Sequence, residues 1–256
     1  MTSRVHSKNK KELAVIILAA GKGTRMNSSL AKVLHPLCGA PLLSYSVSLA
    51  REINSGNIVV VLGYQADLVK ELINDKGLTF VLQEPQLGTG HAVIQAQEAL
   101  KKHRGPVLIL CGDVPLLSPS TAAVLVDKHT STKAAVTVLT TFLEWPAGYG
   151  RVLRADGDSI RRIVEDRDAS DQEKKVKEIN TGIYCVDSEF LFSALTEIKP
   201  VNAQKEYYLT DIVEIAVKKG LIAQALPVYD SREVMGINTQ EELDRAEEIM
   251  RERKKK

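Results

Sequence analysis

Little in this sequence points to an oxidising compartment, a membrane or a nucleic-acid partner. Only three cysteines are present, Cys38, Cys111 and Cys185. They lie too far apart for a CxxC pair or a disulfide framework, which fits a reducing cytosol. Charge of one sign is also missing: 34 Lys and Arg face 32 Asp and Glu, a formal net charge of +2. Bulk electrostatics therefore give no reason to expect nucleic acid. The longest strongly apolar run, Leu13 to Ala20, is far short of the ~20 residues that span a bilayer. It is also too short to serve a signal peptide behind the polar, basic MTSRVHSKNKKE. No internal repeat is visible. The expectation is a soluble cytoplasmic protein with no membrane contact.

What is present is an ordinary globular balance, 44% hydrophobic and 26% charged, with no pressure toward disorder. The length suits one large α/β domain or two small ones, since single cores stop growing near ~250–300 residues. Residues 1–12 read as a frayed basic leader. LAVIILAA reads as a buried parallel strand ended by glycines. A helical stretch follows over Pro41 to Glu52, with Leu42, Tyr45, Leu49 and Ile53 on one side. NIVVVLG, LTFVLQ and PVLILCGD read as further buried strands, and LVKELIND and GHAVIQAQEALKK as intervening helices. This alternation predicts a mainly parallel sheet covered on both faces.

After residue 130 the rhythm changes. AAVTVLTTFL is a strand, GRVLRADGDSIRRIVED a hairpin turning at Asp156-Gly157, and INTGIYCVD another strand. EYYLTDIVEIAVKKG reads as a helix and LIAQALPVY as a strand. Residues 238–256 read as a charged helix with Asn238 and Thr239 as candidate caps. The domain proper is expected over residues 13–237.

Three loops carry chemistry. Leu18-Ala19-Ala20-Gly21-Lys22-Gly23-Thr24-Arg25-Met26, with Lys32 further on, places a glycine loop behind a strand, where open α/β sheets bind ligands. Gly21 and Gly23 let backbone N–H groups approach a phosphate, and Arg25 and Lys32 neutralise it. The spacing matches neither GxGxxG nor GxxxxGK[ST]. Gln83-Glu84-Pro85-Gln86-Leu87-Gly88-Thr89-Gly90 offers an amide with both donor and acceptor, as a pyrimidine edge requires. Its glycines would let a flat base lie on the backbone. In Leu110-Cys111-Gly112-Asp113, a strand-end aspartate suits Mg²⁺, a hard cation that prefers oxygen. Each loop alone also fits an ordinary strand-to-helix turn. Together, behind parallel strands, they must meet at one sheet edge.

Taken in order, LAAGKGTRM…K, VLQEPQLGTGHA, LCGDVPLL, GYGRVLRADG, IVEDRDAS, EINTG, NAQKEYYLTDI and GINTQEEL resemble one family. It is the uridylyltransferase (pyrophosphorylase) domain of the bacterial bifunctional N-acetylglucosamine-1-phosphate uridyltransferase/glucosamine-1-phosphate acetyltransferases. The resemblance covers residues 15–243 and implies a nucleotide-diphospho-sugar transferase (Rossmann-like) fold, a mixed, mainly parallel sheet flanked by helices. It implies UTP and N-acetylglucosamine-1-phosphate as substrates, Mg²⁺ as cofactor, and a place in supplying cell-wall and lipopolysaccharide precursors. It also assigns roles by position. Leu18, Ala20, Gly21 and Gly23 lie against the nucleotide, and Arg25, Lys32 and Asp113 are catalytic. Gln83, Gly88 and Thr89 read the base, and Asp113 and Asn238 hold the metal. Gly150, Glu165, Asn180, Tyr208 and Thr210 hold the amino sugar.

The match departs from the family at three places. Ala31 stands where a proline usually precedes the phosphate lysine, Cys111 precedes the Gly-Asp pair, and Lys205 replaces a common sugar-side glycine. The β-helix acetyltransferase is absent from these residues, so acetyl transfer is not expected of them and the oligomeric state is left open. Two rival readings remain: another sugar-1-phosphate (glucose-1-phosphate with UTP or dTTP) or a non-catalytic nucleotide-sugar-binding regulator. His91 is read as an ordinary helix-start residue, Trp145 as packing, and RERKKK as a solvated helix end.

Overall fold

The computed structural model describes residues 13–53 and 55–254. The basic leader, residues 1–12, lies outside the described residues. The chain runs β1 (Ala14–Ala19), a small hairpin of β2 (Pro36–Leu37) and β3 (Ala40–Pro41), α1 (Leu42–Glu52), β4 (Asn57–Leu62) and α2 (Ala66–Ile73). It continues through β5 (Thr79–Leu82), α3 (Thr89–Ile94), β6 (Pro106–Cys111), α4 (Pro119–Thr132) and β7 (Val136–Phe142). The second half holds β8 (Arg151–Arg154), β9 (Ile160–Val164), β10 (Glu178–Asp187), α5 (Ser188–Leu195), α6 (Asp211–Lys218), β11 (Ala223–Val228) and α7 (Gln240–Lys254).

Strand β1 shows why the sequence reads as it does. Val15 and Ile17 enter one core and Ala14 and Ile16 the other, all fully buried. A strand covered on both faces has no polar position, so the run is continuous rather than alternating. Helices α1, α2 and α4 cover the first face through Leu43, Val69 and Leu125. Helices α3, α5 and α6 cover the second through Val93, Leu191 and Ile212.

The strand order is β11-β7-β10-β6-β1-β4-β5, with the β8–β9 hairpin attached to β10. Only β10 runs against its neighbours β6 and β7 along this path. The carboxyl ends of β1, β4, β5, β6, β7 and β11 therefore share one edge with the amino end of β10. The hairpin, joined through Ile179 and Arg151, extends the sheet at that edge. Its turn is at Asp156-Gly157 as expected, with Gly157 at φ +58° and Ser159 N–H donating to Asp156 O.

Several elements differ from expectation. Strand β5 is the sheet's edge, not a buried strand, and Thr79 and Leu82 are exposed. The third helix stops at Ile94. Beyond it Gln95, Ala96 and Gln97 bond back three residues instead of four, which brings Ala96 and Leu100 onto the core. EYYLT is not helical, because Tyr207 donates its N–H to Leu87 O and accepts from Gly90 N–H. Those bonds tie it to the glycine loop and leave α6 to begin at Asp211. The buried stripe of α1 is Leu42, Leu43, Ser46, Val47, Leu49 and Ala50, wider than the sequence pattern suggested. Helix α4 and the β2–β3 hairpin were not anticipated. Helix α4 has a plain start signal: Ser118 Oγ accepts the Thr121 N–H at 3.1 Å, with Pro119 in the first turn.

Helix α7 packs Leu243, Ala246 and Ile249 against Met26, Leu37, Leu42 and Leu116. Thr239 caps it: Glu242 N–H donates to Thr239 Oγ1 while the Glu242 carboxylate accepts from Asn238 and Thr239 N–H. That reciprocal capping box leaves the Asn238 side chain free for other work. The last turn is not simply solvated, since Arg253 donates to Leu116 O at 2.7 Å.

Candidate active site

The strand-end loops are stitched together by backbone. Gly112 N–H donates to Leu18 O at 2.9 Å, and Tyr64 N–H and Gln86 Nε2 both donate to Ala20 O. A Cβ on Gly112 would be tight, 3.2 Å from Leu18 O and 3.3 Å from Leu43. Gly23 sits at φ +69°, and any side chain on it would collide with the stem of Lys32. This glycine seats the lysine. A Cβ on Gly21 would meet nothing within 4 Å, so its face is open.

Lys32 lies at the centre of the edge. Its ammonium pairs with Asp113 Oδ2 and donates to Asn238 Oδ1 at 3.0 Å. Asn238 is aimed by its own backbone, with Nδ2 donating to Gly236 O. The loop is pinned to Asp113 by the Ile237 N–H bond to Asp113 O at 2.9 Å. Ala31 keeps a proline-like backbone, φ −54° and ψ 134°, yet its N–H donates to Gln65 Oε1, a bond proline has no hydrogen to make. Residues 113 and 238 thus turn two oxygens, one anionic, toward one cation. That arrangement fits a hard metal such as Mg²⁺, which takes one or two carboxylates and completes its shell with water and phosphate. Among the described residues no three His, Cys, Asp or Glu side chains gather as a metal cluster, so the chain offers only part of a shell.

On the β5 side, Gln83 is buried and its Nε2 donates to Gly88 O at 2.9 Å. Gly88 and Gly90 are required by the chain's own packing. At Gly88, φ +103°, a Cβ would lie 2.8 Å from Tyr207 O, and at Gly90 one would lie 2.9 Å from the same atom. Thr89 Oγ1 accepts the Leu209 N–H. The glycine loop is therefore bonded directly to the segment that carries Tyr208 and Thr210.

On the β8–β10 side, Asn180 N–H donates to Gly150 O at 2.9 Å, and Asn180 Oδ1 accepts the Gly182 N–H. A Cβ on Gly150 would sit 3.2 Å from Ile163 Cγ2 and 3.4 Å from the Glu165 carboxylate. Thr210 donates to Glu165 Oε1 at 3.2 Å. Burial pushes the Glu165 carboxyl up, with Asp211, Asp168 and Glu206 adding to the rise. Asp211 is pushed up to about 6 by burial, then by Glu214 and Asp168. Tyr208 donates to Asp168 Oδ2 and is pushed up to about 12, mainly by burial. Lys205 stands at φ +57°, a left-handed conformation that explains why glycine suits this place.

Not every expected residue joins the cluster. Arg25 is exposed on a 3-10 turn and is not brought to Lys32, Asp113 or Asn238 by a hydrogen bond or ion pair. The Cys111 thiol is pushed up to about 12 by burial, and its Sγ lies 3.5 Å from Gly182 O, so it packs rather than reacts. Trp145 does not pack: it is 83% exposed, with Lys177 Nζ 5.4 Å from its ring centroid. Sequence reasoning missed Tyr149 and Asp168. The charges of Glu242, Arg25 and Asp113 all act on Tyr149, whose hydroxyl burial pushes up. Both residues sit inside motifs already quoted, GYGR and EDRD, where adjacency to Gly150 and Glu165 was the available signal.

Comparison with known proteins fits this geometry. The family described as "MobA-like NTP transferase domain" matches residues 15–177. The bifunctional protein GlmU of Geotalea uraniireducens (strain Rf4) is 51% identical over 243 residues, covering 94% of this chain and 53% of that protein. The bifunctional protein GlmU of Desulfotalea psychrophila (strain LSv54) is 43% identical over 247 residues, covering 96% of this chain and 73% of that protein. Against relatives such as the first, the chain spans about half the length. A crystal structure of UDP-glucose pyrophosphorylase complexed with UDP-glucose superposes with a TM-score of 0.78 at 18% identity, over 94% of this chain and 99% of that one. That likeness is one of fold, the mixed, mostly parallel sheet between helices. The chain belongs to the MobA-like NTP transferase family and carries a nucleotidyltransferase domain similar over nearly all its length to the bifunctional GlmU proteins.

Proposed function

We propose that this chain transfers the uridylyl group of UTP to N-acetylglucosamine-1-phosphate and releases pyrophosphate. The observation that carries the reading is the convergence of Lys32, Asp113 and Asn238 at the sheet edge. The Gln83–Gly88–Thr89 loop flanks that edge on one side and Gly150, Glu165 and Asn180 on the other, while the segment carrying Tyr208 and Thr210 bonds to both. In this reading a phosphate oxygen of the sugar attacks the α-phosphorus in line, forming one P–O bond as the bond to pyrophosphate breaks. The attacking phosphate is already anionic, so no general base and no covalent enzyme intermediate are needed. The protein's contribution is alignment and charge neutralisation.

Lys32 holds the α-phosphate region, Gly21 and Gly23 allow its close approach, and the exposed Arg25 is free to swing onto the leaving phosphates. Gln83, Gly88 and Thr89 hold the base, while Leu18 and Ala20 shape the floor beneath the nucleotide. Glu165, Asn180 and Thr210 offer acceptors and donors to the sugar hydroxyls and the acetamido group. Mg²⁺ held by Asp113 and Asn238 would neutralise charge on two substrates that repel each other. Asp113→Ala tests the assignment: magnesium-dependent pyrophosphate release should be lost while the far-UV spectrum is kept. Near-normal release would overturn it.

A further inference from the structure

The sequence gives His91 no task, but the structure bonds it to Gln83. Gln83 is 4% exposed at the end of β5, and its backbone N–H continues the ladder to Leu62 O at 2.7 Å. Its Nε2 lies 2.9 Å from Gly88 O and 3.2 Å from His91 Nδ1. A carboxamide nitrogen has two hydrogens, and Gly88 O together with an unprotonated His91 Nδ1 would use both. Among the described residues no donor bonds Gln83 Oε1, so this oxygen is what the side chain offers a ligand. Gln83 lines a cavity of about 220 Å³ together with Gly63, Tyr64 and Gln86.

The chemistry of a pyrimidine makes that orientation matter. Uracil and thymine carry a hydrogen on N3, whereas cytosine presents a bare N3 acceptor. A fixed Oε1 accepts from the first pair and faces a lone pair in the third. Turning the amide over would present Nε2 and reverse the preference. Gly88 O holds the amide by one bond and His91 Nδ1 by the second. The second bond requires the imidazole proton to be on Nε2. Gln95 stands at that nitrogen, 3.2 Å away. Half-buried Gln95 can turn its carbonyl to accept this proton, giving up its own bond to His91 O. Gln83 is the less free of the two, because it is buried and its bond to Gly88 O, at 2.9 Å, is shorter than the 3.1 Å bond from Gln95 to His91 O. Tyr207 backs the imidazole, with ring centroids 6.1 Å apart.

We propose that His91 is a positioning residue for base selection: as the Nε2–H tautomer it locks the Gln83 amide with Oε1 outward, favouring pyrimidines that carry N3–H over cytosine. The proposal rests on Gln83 facing the base, as in the function proposed above.

The experiment measures kcat/KM for UTP and CTP on the full chain and on three variants. His91→Leu removes the acceptor and should lower the UTP/CTP ratio about tenfold, the worth of one hydrogen bond. The change should appear in nucleotide KM, with KM for the sugar phosphate unmoved. His91→Asn can return an oxygen to the place of Nδ1 and should restore most of the ratio. Gln83→Ala should relax the ratio at least as far. A wild-type ratio in His91→Leu with a relaxed one in Gln83→Ala overturns the role of His91 and keeps the base reading. A wild-type ratio in Gln83→Ala overturns both. Should His91→Leu fail to fold, ¹⁵N NMR of the unmutated chain decides: a bare Nδ1 with protonated Nε2 supports the proposal, and protonated Nδ1 overturns it.

Discussion

Replacing Lys32 by methionine takes one ammonium away from two oxygens that face it. In the folded chain Nζ pairs with Asp113 and lies 3.0 Å from Asn238 Oδ1, with the Lys32 and Asp113 side chains 15% and 19% exposed. Exposed pairs contribute ~0–1 kcal/mol, and removing one partner of a buried pair costs ~3–5 kcal/mol. A site of this intermediate burial should lose about 2 kcal/mol, or about 6 °C in Tm for a chain of this size. The same loss should help a metal. A divalent cation that binds Asp113 and Asn238 has to displace the ammonium or tolerate its repulsion, and the variant removes that competitor. Mn²⁺ affinity without nucleotide, read by titration calorimetry, should rise roughly tenfold, about 1.4 kcal/mol. Turnover should fall on the order of 10²–10³-fold as a transition-state contact disappears. Unchanged or weaker Mn²⁺ binding in a variant that melts cooperatively would refute the idea that ammonium and metal share these oxygens.

Other consequences are more local. Glu165→Gln removes a half-buried charge but keeps an acceptor for Thr210, so KM for the sugar phosphate should rise about tenfold while KM for UTP holds, in steady-state kinetics. Asp211, raised from 3.8 to about 6 in the folded chain, holds its proton more tightly than when unfolded. Its contribution to stability is complete below about pH 4 and lost as pH rises through about 6. Asp211→Asn should flatten the fall in Tm across that window, and an unchanged Tm–pH profile would count against it. Thr239→Ala breaks the capping box at α7 and should cost ~1 kcal/mol in denaturant unfolding.

How much was legible depended on the range of each interaction. Strand β1 and the Asp156-Gly157 turn were readable because burial on two faces and a glycine turn leave local marks. The sequence correctly led to one edge for three loops, since parallel strands force it. It misjudged β5, whose apolar residues are the same kind found in buried strands, and only sheet order reveals an edge. It extended a helix through EYYLT because the pattern is sound locally, while the competing bonds come from Leu87 and Gly90, over a hundred residues away. At Gly88 and Gly90 the crowding atom within the chain is Tyr207 O, a contact made across more than a hundred residues that no local pattern announces. The reading of Trp145 as packing fails, since it stands exposed. The bond from Lys32 to Asn238 joins residues that no local pattern relates, so it was reachable only through family resemblance. The Ser118-Pro119 start of α4 was legible and overlooked.

Pyrophosphate release is the direct assay of the proposed reaction. Folded protein with UTP and Mg²⁺ would be given N-acetylglucosamine-1-phosphate, glucose-1-phosphate and glucosamine-1-phosphate in parallel. Strong release with the N-acetylated sugar, and little with the other two, is the predicted result. Release with none of them, from protein that still binds UTP, would contradict it.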